Sequence, residues 1–213
     1  MIGLVFDIDG TLVDSYDLDE RLYRRAVLSE VPMVKLRKSW HEYRYSTDSG
    51  ILTEILEEFN LPVDAYYESV RRLFGELVKD YLQNNHHCKP IPGAVSLLQD
   101  LSGLPGMKIG IATGGWGHTA RMKLDAAGFS GLNFPMSSSD DALSRTDIME
   151  SCASRMGLPI ERFVYVGDAY WDLCAAKELG WGFIGVGKRL EGKCETWVPD
   201  LLDKAPFLAL AGP

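Results

Sequence analysis

The chain opens on an apolar run, Ile2-Gly3-Leu4-Val5-Phe6, that stops at two aspartates one residue apart, Asp7 and Asp9, followed by Gly10-Thr11. A short apolar run ending in charge reads as a strand buried on both faces. The charge marks its carboxyl end, where open α/β sheets bind ligands. Alternate residues of an extended chain point the same way, so the two carboxylates share a side. Like charges that close are costly unless a cation or a shared proton relieves them. The pair therefore points to Mg²⁺ and to a nucleophile beside a general acid/base.

A strand so placed needs a sheet to join, and the sequence offers one only later. From about residue 15 to residue 88 the pattern is helical. Ile51, Ile55, Leu56 and Phe59 fall at helical spacing until Asn60-Leu61-Pro62. Asp64 is expected to cap the next helix, whose stripe runs through Tyr66, Val70, Phe74, Leu77 and Tyr81. After Pro92-Gly93 short apolar runs alternate with amphipathic stretches. Runs at 107–112, 163–166 and 182–186 are strands, with helices ending near Gly128 and Gly180. Alternating strand and helix imply a parallel sheet with right-handed crossovers. The expected fold is α/β, a three-layer Rossmann-like core over residues 1–14 and 89–213. An all-helical cap over residues 15–88 is inserted after the first strand and lies above Asp7 and Asp9.

Length and charge bound the rest. A chain of 213 residues holds one α/β domain plus an insertion. Its 22 basic and 30 acidic residues give a net charge of −8, which argues against nucleic acid or an anionic membrane as a main partner. No stretch is long and apolar enough to span a bilayer, and Asp7 and Asp9 break the pattern of a secretory signal. Cys88, Cys152, Cys174 and Cys194 show no paired spacing and read as reduced thiols of a cytoplasmic protein. Oligomeric state is not legible.

Three further stretches carry chemistry. Ile109-Gly110-Ile111-Ala112-Thr113-Gly114-Gly115 is a strand ending in a hydroxyl and two glycines before a helix. Backbone N–H groups and a helix N-terminus can hold an anion there, although a polar strand end with a tight turn explains the same residues. Arg145 stands before a helix and can grip phosphate as a bidentate fork, or simply start that helix at the surface. Val164-Tyr165-Val166-Gly167-Asp168 ends a strand in a carboxylate, with Asp172 one helical turn later on the same face. Asp168 can be a hard oxygen ligand for Mg²⁺ or a helix cap; beside the N-terminal pair the metal role is preferred.

Asp7-Ile8-Asp9-Gly10-Thr11, Thr113, Arg145 and Gly167-Asp168…Asp172, in this order, resemble the haloacid dehalogenase (HAD) superfamily, over essentially the whole chain. Ile91-Pro92-Gly93 with Leu97-Leu98 resembles its return from cap to core. The helical insertion resembles the C1 cap of the phosphoglycolate phosphatase and β-phosphoglucomutase branch. The resemblance implies strand order 5-4-1-2-3 and phosphoryl transfer through an aspartyl-phosphate. Asp7 would be the nucleophile and Asp9 the general acid/base. Mg²⁺ would be held by the Asp7 and Asp168 carboxylates and the Asp9 backbone carbonyl, with Asp172 in support or binding through water. Thr113, the Gly114 N–H and Arg145 would hold the phosphoryl oxygens.

The expected activity is hydrolysis of a small phosphorylated metabolite, of phosphoglycolate or sugar-phosphate type. A sugar-phosphate mutase is the nearest alternative, since it uses the same core groups. A non-catalytic binding protein that keeps the fold is the second. Dehalogenation fits less well because Asp9 is present. A phosphonate hydrolase would need a cap lysine, and nothing distinguishes Lys35, Lys38 or Lys79. Substrate selection is assigned to the cap stretch from Trp40 to Asp48, with Arg44 and Tyr45 the candidates, Arg44 facing a carboxylate or second phosphate or else solvent. Hinges are expected near residues 13–16 and 87–90. Gly182–Lys188 mimics a nucleotide loop but lacks the following Ser/Thr, so it reads as the last strand. His86-His87-Cys88 reads as a solvated linker and His118 as a helix start.

Overall fold

The computed structural model describes residues 1–85, 88–157 and 159–211. Among the described residues six parallel strands form one sheet in the order β3-β2-β1-β4-β5-β6. They are β1 (Ile2–Phe6), β2 (Met107–Ala112), β3 (Met136–Ser137), β4 (Arg162–Gly167), β5 (Gly182–Val186) and β6 (Trp197–Val198). Read from β5 to β3 this is the expected 5-4-1-2-3. The short β6 extends the edge beyond β5, so β5 is not the last strand.

Side chains alternate across β1. Leu4 and Phe6 enter one apolar cluster with Leu97, Leu98 and Leu101 of α4 (Ala94–Ser102) and Leu124 of α5 (Gly117–Ala126). Val5 enters the opposite cluster with Met149 and Cys152 of α6 (Arg145–Met156) and Ala175 and Ala176 of α7 (Tyr170–Glu178). A sheet buried on both faces by helices makes the three layers and explains why its strands read as unbroken apolar runs. A short α8 (Ala205–Leu208) brings Phe207 against Phe6.

Between β1 and α4 the chain builds a cap from α1 (Tyr16–Glu30), α2 (Asp48–Glu58) and α3 (Val63–Asn85). Its core unites Leu22, Tyr23 and Val27 of α1, Leu52 and Ile55 of α2, and Val70, Phe74 and Val78 of α3. The segment is less uniformly helical than its composition suggests. Between Val31 and Thr47 it is irregular apart from one 3₁₀ turn, Trp40–Glu42. Asp64 lies inside the first turn of α3 rather than capping it, where its charge still suits the helix dipole.

The chain's exit to the cap and its return run side by side. Val13 bridges Pro90, and the Asp14 N–H donates to the Lys89 carbonyl at 2.9 Å. Of the expected hinge residues, His87 lies outside the described residues, as does His86. Among the described residues no helix is long and apolar enough to cross a membrane.

Candidate active site

Register brings the chemistry together. Phe6 pairs with Ile111 on one side and with Val166 on the other. The residues just beyond those strand ends therefore lie side by side: Asp7 after β1, Thr113 after β2 and Asp168 after β4. The Asp7 N–H extends the ladder by donating to the Val166 carbonyl at 2.9 Å. Asp7, Thr113 and Asp168 are all buried. The chain then turns sharply at Gly10, whose φ is +87°. A side chain there would be strained and would collide with the Asp168 carboxylate, so the turn requires glycine.

Oxygens of Asp7, Asp168 and Asp172 all lie within 4.8 Å of one another. Three buried carboxylates converging on one point are a hard oxygen donor set that suits a divalent cation such as Mg²⁺. Asp172 Oδ2 accepts from the Ala169 N–H at 3.0 Å, while Oδ1 is buried without a well-aligned hydrogen bond, although Arg145 Nη1 lies 3.0 Å away. The side chain of Asp9 is not part of this trio. Burial pushes the Asp7 carboxyl up to about 8; Asp172 and Asp9 add to this and Arg145 opposes it.

Arg145 opens α6, whose N-cap Ser144 accepts from the Asp147 N–H. Its Nη1 donates to Asp7 Oδ1 and to the Tyr165 hydroxyl, each at 3.2 Å, and its Nη2 to the Ser46 carbonyl of the cap. Tyr165 is anchored in turn on the Ala112 carbonyl at 2.8 Å. Burial works against the charge of Arg145, but Asp172, Tyr165 and Asp7 outweigh it and keep the guanidinium protonated. Gly114 makes this geometry possible, because a side chain there would strike the guanidinium and the Ser46 carbonyl.

Asp9 faces two ways. Its Oδ1 accepts from the Ser15 hydroxyl at 2.5 Å and from Lys123 Nζ at 2.6 Å. Its Oδ2 turns to Gly115: a side-chain carbon on that glycine would sit 3.7 Å from Asp9 Oδ2 and 3.6 Å from Thr113 Oγ1. Lys123, on α5, is fully buried and also meets Asp19 of the cap at 2.5 Å. Burial would lower its proton affinity, but Asp19 and Asp9 together raise it.

Trp116 fixes cap to core. It follows Gly115 in the core yet belongs to the cap's apolar cluster, with no exposed surface. Its backbone N–H donates to Asp48 Oδ2 at 2.9 Å, and its indole N–H reaches the hydroxyls of Ser49 and Tyr67 at 3.0 Å each. The Thr47 hydroxyl caps α2 and also donates to the Leu143 carbonyl at 2.6 Å.

Between cap and core lies a cleft of about 560 Å³ counted out to its mouth. The core side presents Asp7, Asp9, Thr113, Gly114, Arg145 and Asp168; the cap side presents Asp19, Glu20, Ser46, Thr47 and Asp48. Arg44 and Tyr45 do not line it. Arg44 is exposed, its N–H on Glu54 and its guanidinium over the Tyr45 ring. His118 packs against α3 at Gly75 instead of entering the cleft. Of the stretch assigned to substrate selection, Trp40, Ser46, Thr47 and Asp48 do line the cleft, but besides Lys123, Asp19 and Trp116 sequence reasoning missed Arg189. That residue ion-pairs with Asp168 and lies 3.5 Å above the ring of Tyr16.

The family model for haloacid dehalogenase-like hydrolases matches residues 4–186. A hydrolase from Pseudomonas syringae has a similar structure, with TM-score 0.75, 24% identity and 99% of each chain covered. β-Phosphoglucomutase from Clostridium difficile superposes with TM-score 0.73 at 18% identity, over 99% of this chain and 97% of that one. A predicted phosphoglycolate phosphatase from Haemophilus somnus gives 0.66 at 17% identity, over 96% of each. These likenesses establish the fold. No curated protein matched the sequence. With its fold, its buried aspartate cluster and a model match along most of its length, the chain belongs to the haloacid dehalogenase-like hydrolase family and is an enzyme of the hydrolase and phosphoryl-transfer kind.

Proposed function

We propose that the protein is a Mg²⁺-dependent phosphatase that hydrolyses a small phosphorylated metabolite through an aspartyl-phosphate on Asp7. The observation that carries this is the meeting of Asp7 Oδ1 and Arg145 Nη1 at 3.2 Å, with Asp9 Oδ2 and Thr113 Oγ1 around Gly115 close by. A nucleophile, an anion clamp and an acid/base thus surround one space. Asp7 attacks phosphorus, and the bond to the leaving oxygen breaks as Asp9 donates it a proton. Asp9 then takes a proton from the water that attacks the phospho-enzyme, and Asp7 is regenerated. Thr113, the Gly114 N–H and Arg145 hold the non-bridging oxygens while charge redistributes.

The Asp7, Asp168 and Asp172 carboxylates would hold Mg²⁺, together with the Asp9 backbone carbonyl. Bound there, the ion would offset the repulsion between these carboxylates and a phosphoryl dianion. The cap, with boundaries proposed at residues 15 and 88, covers the site and excludes bulk water.

The test is phosphate release from a panel of small phosphomonoesters, with Mg²⁺ or with EDTA, for wild type and Asp7→Asn. Release that needs both Mg²⁺ and Asp7 supports the phosphatase. Silence toward every ester, with isomerised sugar phosphates appearing instead, replaces it by a mutase.

A further inference from the structure

Two arginines cover the carboxylate trio, and they are held very differently. Arg145 meets Asp7 at 3.2 Å and Asp172 at 3.0 Å. Its side chain is only 10% exposed, and the Tyr165 hydroxyl and the Ser46 carbonyl hold it from two further directions. Asp168 is left to Arg189, which lies beyond β5 in the 3₁₀ turn Lys188–Leu190. That side chain is 40% exposed, and Asp168 is its one ion pair among the described residues. The pair sits over the Gly10 turn. A side-chain carbon on Gly10 would lie 2.8 Å from Arg189 Nη2 and would collide with Asp168. The trio is thus compensated by one fixed guanidinium and one at the surface.

A divalent ion at the trio would draw on the same carboxylate of Asp168. Two cations brought to one carboxylate repel each other, so one of them has to yield. Arg145 is boxed in, whereas Arg189 has somewhere to stay. Its guanidinium carbon lies 3.5 Å from the centroid of the Tyr16 ring, and that ring is itself stacked on Trp171 at 6.4 Å. An aromatic face retains a guanidinium that has given up its anion, and the exposed part of the side chain is already in water.

We infer that Arg189 is the resident counter-cation of the metal-free site, holding Asp168 until Mg²⁺ takes that carboxylate, and that it thereby weakens Mg²⁺ binding. This rests on the Mg²⁺-dependent reading and is independent of which ester is cleaved. Only protein in which Asp168 is unpaired is ready for the ion, so the apparent affinity falls with the fraction in which the pair is closed. The opposite arrangement, in which Arg189 on one oxygen orients the other toward the ion, requires weaker binding once Arg189 is removed.

The two arrangements are separated by calorimetric titration of Mg²⁺ into chelator-stripped protein, without substrate. Arg189→Gln should tighten Kd by about tenfold, the worth of one charge-assisted hydrogen bond that no longer has to be surrendered. Arg189→Lys keeps the charge and should stay near the wild type. The same cycle demands a second result. Arg189→Gln should lower the melting temperature in EDTA and leave it little changed at saturating Mg²⁺. Unchanged or weaker Mg²⁺ binding by Arg189→Gln overturns the inference and leaves the phosphatase reading intact. Tighter binding, with no phosphate released by the wild type from any ester, defeats the phosphatase reading and leaves the role of Arg189 standing. No Mg²⁺ effect on heat or melting in either protein overturns both.

Discussion

Lys123 Nζ lies 2.6 Å from Asp9 Oδ1, inside the protein and without solvent contact. The same ammonium meets Asp19, so one buried cation ties the proposed acid/base of the core to the first helix of the cap. Lys123→Met leaves two carboxylates facing each other without compensation. Breaking such a buried pair costs about 3–5 kcal/mol, and urea denaturation should register a loss of that size. The double variant Lys123→Met/Asp19→Leu should recover part of it. No recovery would mean that Lys123 stabilises by packing, not by charge.

Asp9→Asn should lower kcat by about 10²–10⁴ toward alkyl phosphates, the usual contribution of a positioned proton donor. The loss should be smaller for p-nitrophenyl phosphate, whose leaving group departs without a proton. Steady-state kinetics on both esters decides. An equal loss for both would assign Asp9 to holding the site together instead of moving a proton.

Metal and pH should be linked. The Asp7 carboxyl is raised in the folded state to about 8, so its contribution to the stability of metal-free protein is full at low pH and fades as pH rises toward 8. Mg²⁺ requires the ionised form and opposes that decline. The rise in melting temperature on adding Mg²⁺ should therefore grow between pH 5.5 and 8.5. A shift of constant size across that range would show that no such carboxyl is titrating at the site.

Trp116→Ala should cost about 3–5 kcal/mol, the range for emptying a fully buried large aromatic position. Hydrogen exchange should show the damage in α2 and α3 as well as in the loop that carries residue 116, because its indole is packed between them. Effects confined to residues near 116 would contradict the packing.

The parts legible in the sequence are those whose signals are local. Apolar runs ending in Asp7, Thr113 and Asp168 marked strand ends, and parallel register then had to bring those ends together. The stripe on α3 announced a helix with a buried face. Lys123 was invisible for the opposite reason. Its partners Asp9 and Asp19 lie 114 and 104 residues away in the chain, and a lysine on an amphipathic helix reads as a solvated residue. Asp48 was included only as the end of the Trp40–Asp48 stretch, and its burial could not be read there, since it depends on Trp116 arriving from another segment. Arg44 was attractive by charge alone, and its backbone direction, set by Glu54, turns it outward.

The seat of Trp116 has a consequence for recombining this chain with its relatives. The cap's apolar interior is completed by a side chain that the inserted segment does not encode. A cap cut out at its two connecting segments and grafted onto another member would carry a vacant socket. The recipient would have to supply an indole, or a ring of similar volume, directly after its own glycine pair, with Ser49 and Tyr67 retained to receive the N–H. Exchange of caps within this fold is thus governed by a core position, and the piece to be moved is larger than the insertion itself.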